Sequence, residues 1–437
     1  MATLISKPST IVVQAPIGAD TSFGTGTATG SLQGDRWSPG RDAAGQVNAA
    51  SWALVPRGRW VTVAGTRFDG LDAAVKAAVP SWTGDQLAWD ALTQSWSGFA
   101  IDLQGGRAWL MGGGHTDGRN NGIYRFDVFR MSWAVQELPS DRAPWSVAYT
   151  SNYSATAYPE SAADAEAKAK AGTLRAINDS YYDEIPGDKK PTARHTYSTM
   201  VYVPDSNELV MACRRLWRYS LTAKKWTYRR QIRDQPAEWM DGENGIGIYD
   251  EVTGELLASA SGSGAHYRST GYRLVTNQWT EWSAPWNRYG GVADVRHGRR
   301  VTAISPPEQS GPMYASPGKY WLYDLDSRSN AVSGDFQYAG GLTRADFSKF
   351  SWYYDGAAVA YIASLERYWL CTKKANSQMG FFEINPTTTP WTLSPLPFTG
   401  AVPTPSPLLK RRMVYWPGIN AVTLTDRGNN EMVLYRL

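Results

Sequence analysis

Histidine, arginine and aspartate occur close together at several points of this 437-residue chain, and these side chains can do chemistry. Histidine transfers protons near neutral pH and is a common metal ligand. The arginine fork binds carboxylates through two parallel hydrogen bonds. The candidates that combine these types are His115, Asp117, Arg119, Arg194, His195, Arg214, Arg215, His266 and Arg268. They indicate proton transfer, metal binding or the binding of an acidic ligand.

The spacing of the histidines does not favour a metal site. The chain has 4 histidines, and no two of them form a His-x-His or His-x-x-x-His pair. A metal would therefore need three histidines from separate elements that all point to one axis. We predict no metal and no cofactor. His195 is predicted to be mainly a structural hydrogen-bonding residue.

Aromatic side chains accompany the arginines and favour ligand binding. Trp286 lies in the stretch APWNRY, and Trp352 and Tyr354 lie in FSWYYD. Arginine binds carboxylates, and aromatic rings stack on the faces of sugars. The mixture predicts a site for a glycan or an acidic peptide. A packed and solvated rim is the alternative interpretation.

A catalytic site is the weaker prediction. Asp241 and Glu243 could act as a carboxylate pair in glycoside hydrolysis. Two acids within one loop are a weak signal, so we predict a non-catalytic protein. A carbohydrate-active enzyme, either a polysaccharide depolymerase or a glycosidase, is the alternative.

A repeated pattern indicates the elements that must position these residues. An aromatic residue precedes a tryptophan by seven positions at Phe126 and Trp133, at Tyr219 and Trp226, and at Tyr272 and Trp279. Ile384 and Trp391 keep the spacing, whereas Asn330 follows Tyr323 where a tryptophan is expected. Two apolar runs split by a polar turn precede each pair. This pattern is typical of a four-stranded antiparallel unit whose last two strands, c and d, carry the pair.

The units predict an all-β fold, a six-bladed β-propeller. The tryptophan positions and their equivalent, 133, 226, 279, 330 and 391, are 93, 53, 51 and 61 residues apart. Steps near 50 residues are the size of a kelch-type propeller blade, and the 93-residue step contains an insertion. The sixth unit lacks its last strand where the sequence ends at Leu437, and residues 50–65 contain a strand signal with a tryptophan. We predict that this N-terminal strand closes the sixth blade, since closure removes exposed sheet edges. A seventh blade would have to lie within residues 136–190.

The first unit resembles the kelch family of propellers, which also form the central domain of galactose oxidase. The resemblance rests on the glycines 112–114, the Tyr-Arg-Phe-Asp run 124–127 and Trp133. The copper-radical oxidases with this propeller use paired histidines near the C-terminal side. No histidine follows His297, so that activity is not predicted. The sialidase box Ser-x-Asp-x-Gly-x-x-Trp is absent too.

The remaining segments predict an assembly role. Residues 1–47 form a Gly-, Thr- and Ala-rich extended arm outside the propeller of residues 48–437, and residues 136–190 form a loop and helical insertion. An arm of this kind joined to a propeller is similar to virion proteins of tailed bacteriophages. We expect a virion location, with other virion subunits bound through the arm and a host glycan or protein as a further partner. A monomeric cytoplasmic kelch scaffold is the alternative.

Composition excludes other classes of partner. The 44 basic and 40 acidic side chains nearly balance, and the net charge of +4 is too small to predict nucleic acid binding. No apolar run is long enough for a membrane helix. The two cysteines, Cys213 and Cys371, fall on blades two and five, which are opposite in a six-fold ring, and are predicted to be free thiols.

In four-stranded propeller blades, the loops between strands b and c and between strands d and a share one face. The candidate residues and the insertions 66–95 and 136–190 would gather on that face. We predict that this face binds the ligand.

Overall fold

The protein is a six-bladed all-β propeller, as the repeats predict. The computed structural model describes residues 23–25, 28–84, 87, 89, 92, 97–112, 120–141, 190–191, 193, 196, 199–213, 215–231, 246–259, 269–276, 278–282, 292–297, 300–304, 319–351, 357–374, 379–401, 412–425 and 431–437. Six small sheets follow one another around a ring. The innermost strands of blades 1, 2 and 3 touch in sequence, and so do those of blades 4, 5 and 6.

The N-terminal segment precedes the first blade and contains short strands and helices. Its elements are β1 (Ser31–Gln33), β2 (Arg36–Ser38), α1 (Ala49–Ala53), β3 (Trp60–Val63) and α2 (Asp72–Ala78), with a 3-10 turn at Phe68–Leu71. The Asn48 side chain caps α1 by accepting a hydrogen bond from the Ser51 amide at 2.8 Å.

Blades 1 to 4 are four-stranded antiparallel sheets, with strands a to d from the axis outward. Blade 1 contains β4 (Ala100–Asp102), β5 (Arg107–Met111), β6 (Ile123–Asp127) and β7 (Ser132–Glu137). Blade 2 contains β8 (Met200–Val203), β9 (Glu208–Cys213), β10 (Arg215–Ser220) and β11 (Lys225–Gln231). Blade 3 contains β12 (Ile246–Asp250), β13 (Glu255–Ser259), β14 (Ser269–Arg273) and β15 (Gln278–Trp282). Blade 4 contains β16 (Val292–His297), β17 (Arg300–Ile304), β18 (Lys319–Asp324) and β19 (Ser329–Asp335).

Blades 5 and 6 are larger sheets. The d–a connection into blade 5 contains β20 (Gln337–Tyr338), α3 (Arg344–Ser348) and β21 (Phe350–Ser351). Strands a to d of blade 5 are β22 (Ala357–Ile362), β23 (Arg367–Lys374), β24 (Met379–Asn385) and β25 (Thr392–Pro395), with β20 added beside β25. Blade 6 contains β26 (Val414–Trp416), β27 (Ala421–Thr425) and β28 (Met432–Arg436), and its sheet continues through β3, β2 and β1.

The predicted aromatic pairs lie opposite each other on strands c and d of the first three blades. The pairs are Phe126 with Trp133, Tyr219 with Trp226 and Tyr272 with Trp279. Blade 5 departs from this register, because Ile384 lies opposite Leu393 and Trp391 precedes the strand. Trp391 instead stacks on Tyr320 of blade 4, with ring centroids 4.2 Å apart. Ile384 and Trp391, which are seven positions apart in blade 5, therefore do not form a cross-strand pair.

The N-terminal strand closes the ring as predicted. β3 pairs antiparallel with β28, so the first and last strands of the propeller share blade 6. Trp60 lies opposite Tyr435, with ring centroids 5.4 Å apart. Trp60 and Tyr435 form the same kind of aromatic–tryptophan pair as in blades 1 to 3, although they are far apart in the sequence. The closing contact is thus encoded by the same pattern as the blades.

The described part of residues 1–47 is not an arm that projects from the propeller. Strand β2 pairs in parallel with β3, and β1 pairs with β2. Trp37 is fully buried, and its indole donates to the Ser51 carbonyl at 3.2 Å. Residues 31–38 fold here because their apolar side chains find a partner on the chain's own sixth sheet. Residues 1–22 and 26–27 lie outside the described residues.

The N-terminal segment also fills the gap between blades 6 and 1. A large apolar cluster there includes Trp52, Phe68 and Trp82. The ring centroid of Phe68 lies 4.7 Å from that of Trp133 and 5.1 Å from that of Tyr124, so the described part of the 66–95 insertion contributes to the core. None of the helices in the described residues is long and apolar enough to cross a membrane.

Candidate functional site

The connections between strands separate two faces of the ring. The a–b and c–d turns lie on one face, which we call the short-turn face. The b–c loops and the d–a connections lie on the other, which we call the loop face. Each described a–b turn ends on a residue with positive φ just before strand b, and these residues are Gly106, Asn207, Gly254, Glu366 and Asn420. The short-turn face is therefore a repeated and locally determined structure.

Most of the predicted ligand-binding residues fall outside the described residues, so their place on the loop face stays a prediction. These are His115, Asp117, Arg119, Arg194, His195, Arg214, His266, Arg268, Trp286, Trp352 and Tyr354. The predicted carboxylate pair Asp241 and Glu243 and residues 142–189 of the predicted insertion lie outside them as well. Arg215 is the first residue of β10 and pairs with Cys213, so only one residue separates strands b and c of blade 2.

The bases of two candidate loops are held together by buried side chains. The segment 113–119, which carries His115, follows β5, and the segment with His195 precedes β8. The buried Thr196 hydroxyl donates to the Met111 carbonyl at 3.1 Å. The buried Asn121 amide donates to the Pro191 carbonyl at 2.9 Å. Two segments far apart in sequence therefore begin and end side by side between blades 1 and 2.

Asn121 is the centre of this contact. Its Nδ2 also donates to Ser140 Oγ at 2.8 Å, and its Oδ1 accepts from the Ser140 amide at 2.8 Å. The Ser140 carbonyl in turn accepts from the indole of Trp82 at 3.0 Å. Every polar atom of the Asn121 side chain is thus satisfied within the protein. Such a network fixes the geometry of the loops that start from it.

The neighbouring Asn120 holds the other side of the same loop. Its Oδ1 accepts from the Tyr124 hydroxyl at 2.7 Å and from the Gly122 amide at 3.0 Å, and its Nδ2 donates to the Leu87 carbonyl at 3.3 Å. Burial raises the pKa of Tyr124 far above its ordinary value, so its hydroxyl stays protonated and donates. Asn120 therefore joins the 66–95 insertion to the end of the 113–119 loop.

A buried arginine occupies the loop-face end of blade 6. Arg412 is fully buried just before β26. Its Nε donates to the Ser97 carbonyl at 3.0 Å, and its Nη2 donates to the Leu92 carbonyl at 3.2 Å. Burial lowers the pKa of the guanidinium to about 9, which is still above neutral pH. The side chain is therefore a buried cation at pH 7 whose two bound acceptors are neutral carbonyls.

A buried carboxylate at the same end of the blade is already paired. Glu431, just before β28, is almost fully buried and accepts from Arg36 Nη1 at 2.6 Å and Nη2 at 2.7 Å. This bidentate pair joins β2 to strand c of blade 6. The hydrogen bond with Glu431 raises the pKa of Arg36.

Sequence reasoning missed these anchors. Asn120 and Asn121 follow the glycine-rich run directly and resemble ordinary turn residues. Arg412 ends the run Lys-Arg-Arg, which is typical of a solvated face. The side chains are recognisable as anchors only from their burial. In the part of the chain that the structure describes, no group of three or more His, Cys, Asp or Glu could hold a metal ion.

Cys371 is the cysteine whose side chain the structure describes. Cys371 lies on strand b of blade 5, is fully buried and is a free thiol, as predicted. Burial raises the pKa of its thiol well above the ordinary value, so it is a poor nucleophile.

Comparisons with known proteins leave the family open. No protein-family model matches this chain, and no curated protein matches it at a significant level.

Proposed function

We propose that the protein is a non-catalytic recognition protein that binds its ligand with the loop face, as a virion component such as a phage tail protein. The observation that carries the proposal is the buried network around Asn121, which fixes the bases of two loop-face segments. A rigid scaffold that presents variable loops is typical of binding proteins. The short-turn face offers only compact turns.

The residue types on the loop face favour a surface glycan or an acidic group as the ligand. Arg119 and Arg194 belong to the two segments whose bases meet between blades 1 and 2. Arginine binds carboxylates bidentately, and the tryptophans of the neighbouring connections can stack on sugar rings. The glycine run and aromatic pair of blade 1 favour a kelch-type propeller.

Binding can be tested by comparing the two faces. The double variant Arg119→Ala/Arg194→Ala removes two charges from the loop face. The matched control Lys225→Ala/Arg273→Ala removes two charges from exposed residues at the short-turn face. On an array of acidic and neutral polysaccharides, we expect the loop-face variant to bind at least about tenfold more weakly and the control to be unchanged. Equal weakening by both variants would overturn the proposal.

The same assay separates recognition from the alternative enzymatic function. Size-exclusion analysis of each bound polysaccharide shows whether the chain length falls during incubation. We expect no shortening. Shortening that stops in Asp241→Asn or Glu243→Gln would establish a glycoside hydrolase instead.

The assembly part of the proposal needs a shorter deletion than the whole segment 1–47. Residues 31–38 belong to the sixth sheet, so their removal would expose β3. Deleting only residues 1–22 leaves every described contact in place. We expect the full chain to form an oligomer or dock on particles, and the shortened chain to remain a monomer with the same melting temperature. Identical masses by light scattering would contradict the assembly role.

A further inference from the structure

The most unusual polar group in the described structure is the guanidinium of Arg412. It is fully buried, and its Nη1 has no hydrogen-bond partner. Its other nitrogens bind only the backbone carbonyls of Ser97 and Leu92. Folding removes a charge from water at a cost of several kcal/mol unless an opposite charge compensates it. Native structures therefore pair such groups as a rule.

A second orphaned donor lies beside it. The hydroxyl of Ser97 is buried and also has no hydrogen-bond partner, while the carbonyl of the same residue accepts from Arg412 Nε at 3.0 Å. Ser97 precedes β4, the innermost strand of blade 1, and Arg412 precedes β26, the innermost strand of blade 6. Both residues are at the loop-face ends of adjacent inner strands. Two residues that a hydrogen bond joins thus each carry an unused donor at the loop-face ends of the inner strands.

No carboxylate of the described residues compensates this charge. Glu431, at the same end of blade 6, is bound by both terminal nitrogens of Arg36. Among the described residues, burial is what lowers the pKa of Arg412. The missing partner must therefore be an acceptor that the chain itself does not supply among these residues.

We propose that Arg412 and Ser97 form a carboxylate-binding subsite at the loop-face mouth between blades 6 and 1. A carboxylate supplies the missing negative charge and two oxygens, which accept from Arg412 Nη1 and Ser97 Oγ. The inference deepens the proposed function, on which it rests, by naming an acidic group of the ligand. The carboxylate comes either from an acidic sugar or from a free small acid.

Both donor atoms are shielded from solvent, and this shapes how binding occurs. A carboxylate must therefore shed its water before it reaches them. We expect its association to be slower than the diffusion limit. Slow association separates this subsite from weak, rapid binding at surface arginines.

The experiment measures saturable binding of sodium acetate, D-glucuronate and neutral D-glucose to the full chain, by calorimetry at ionic strength matched with sodium chloride. We expect acetate, glucuronate or both to bind the wild-type protein, and glucose not to bind. Arg412→Lys keeps the charge but loses the fork, so it should weaken binding at least about tenfold. Ser97→Ala removes only a hydroxyl and should weaken binding about three- to tenfold.

Arg41→Lys is the matched control. Arg41 also donates from Nε and Nη2 to two backbone carbonyls, those of Arg130 at 3.0 Å and Met131 at 3.1 Å. It is only half-buried, at the outer edge of blade 1. We expect Arg41→Lys to bind carboxylates like the wild type. If Arg412→Lys fails to fold, Ser97→Ala with the same control still tests the proposal.

The outcomes distinguish the sources and the two proposals. Binding of glucuronate alone identifies an acidic sugar, and binding of acetate alone identifies a free acid; both support the subsite. No binding above the chloride background, or equal binding by Arg412→Lys, overturns it. In that case unchanged polysaccharide binding by Arg412→Lys leaves the proposed function standing. Carboxylate binding without any polysaccharide binding would support the subsite and contradict the proposed function.

Discussion

The two faces of the propeller are held together in different ways. On the short-turn face, many turns are closed by residues a few positions apart, as where Asp127 Oδ1 accepts from the amides of Phe129 and Arg130 at 3.0 Å each. On the loop face, Asn121 joins Ser140 and Pro191, which are 19 and 70 positions away. The short-turn face thus combines local turn bonds with single contacts between neighbouring blades, such as that of Ser364 with Asn420 at 3.0 Å, whereas the loop face contains a network that joins remote segments.

This difference predicts how each face responds to mutation. A turn held by local bonds loses a few tenths to about 2 kcal/mol when one residue changes, and its neighbours stay in place. A buried network that joins remote segments loses more, because each lost partner leaves another buried polar group unsatisfied. Substitutions at the buried bases of the loop-face segments should therefore destabilise the protein more than substitutions in the short turns.

The largest effect is expected for Asn121→Ala. The change removes three buried hydrogen bonds and leaves Ser140 and the Pro191 carbonyl without their partner. We expect the free energy of unfolding to fall by about 3 kcal/mol in equilibrium urea denaturation.

Asn207→Gly is the matched control for Asn121→Ala on the short-turn face. It keeps the positive φ of 49° that the turn needs and removes only bonds to Tyr202 and Thr222. A loss of about 0.5 kcal/mol or less is expected. If the two substitutions cost the same, the contrast between the faces does not hold.

The repeated blade pattern could be predicted from the sequence, whereas the single contacts between remote residues could not. The paired aromatics recur in blades 1 to 3, and with the blade-sized spacing and the missing last strand of the sixth unit they predicted six blades and closure by the strand with Trp60. Asn121 and Arg412 act through partners far away in sequence, and no periodicity marks such contacts. Trp391 misled for the opposite reason: its spacing fits the repeat, but its ring stacks on Tyr320 of the preceding blade.

The N-terminal segment shows a related limit of sequence reasoning. Its glycine- and threonine-rich composition predicted an extended arm, yet Trp37 buries completely and β2 joins the sixth sheet. Composition describes what a segment can do alone, whereas a ready sheet edge supplies backbone partners. A single apolar residue such as Trp37 is then enough to fix the register.

A smaller effect is expected for the ion pair between Arg36 and Glu431. Glu431 has 3% of its side chain exposed, and Arg36 has 51%. Arg36→Gln leaves a buried carboxylate without its cation, so we expect a loss of about 2 kcal/mol. Glu431→Gln leaves an arginine that water can reach, so its loss should be about 1 kcal/mol. Urea denaturation of both variants measures this asymmetry, and a larger loss in Glu431→Gln would contradict it.

The short-turn face can be probed at Asn420, which has a φ of 46°. Its Oδ1 accepts from the hydroxyls of Tyr415 at 2.9 Å and Ser364 at 3.0 Å. Asn420→Ala loses these bonds and strains the backbone, so we expect a loss of about 1.5 kcal/mol. Asn420→Gly loses the bonds without the strain and should cost about 1 kcal/mol less. Equal melting temperatures for the two variants would show that the backbone conformation contributes nothing.

The smallest effect is expected at the equivalent turn of blade 5, and it has the opposite sign. Glu366 is exposed and holds a φ of 53°, a conformation that glycine adopts without strain. Glu366→Gly should therefore stabilise the protein by about 0.5 kcal/mol, since relief of strain slightly exceeds the entropy that glycine loses on folding. The reverse change, Gly254→Ala in blade 3, has room for a Cβ 3.5 Å from Val275 but a φ of 64°, so it should cost about 1 kcal/mol. Calorimetric melting of the pair checks both signs. Two shifts in the same direction would mean that the turns of the short-turn face are not the interchangeable local units that their backbone angles indicate.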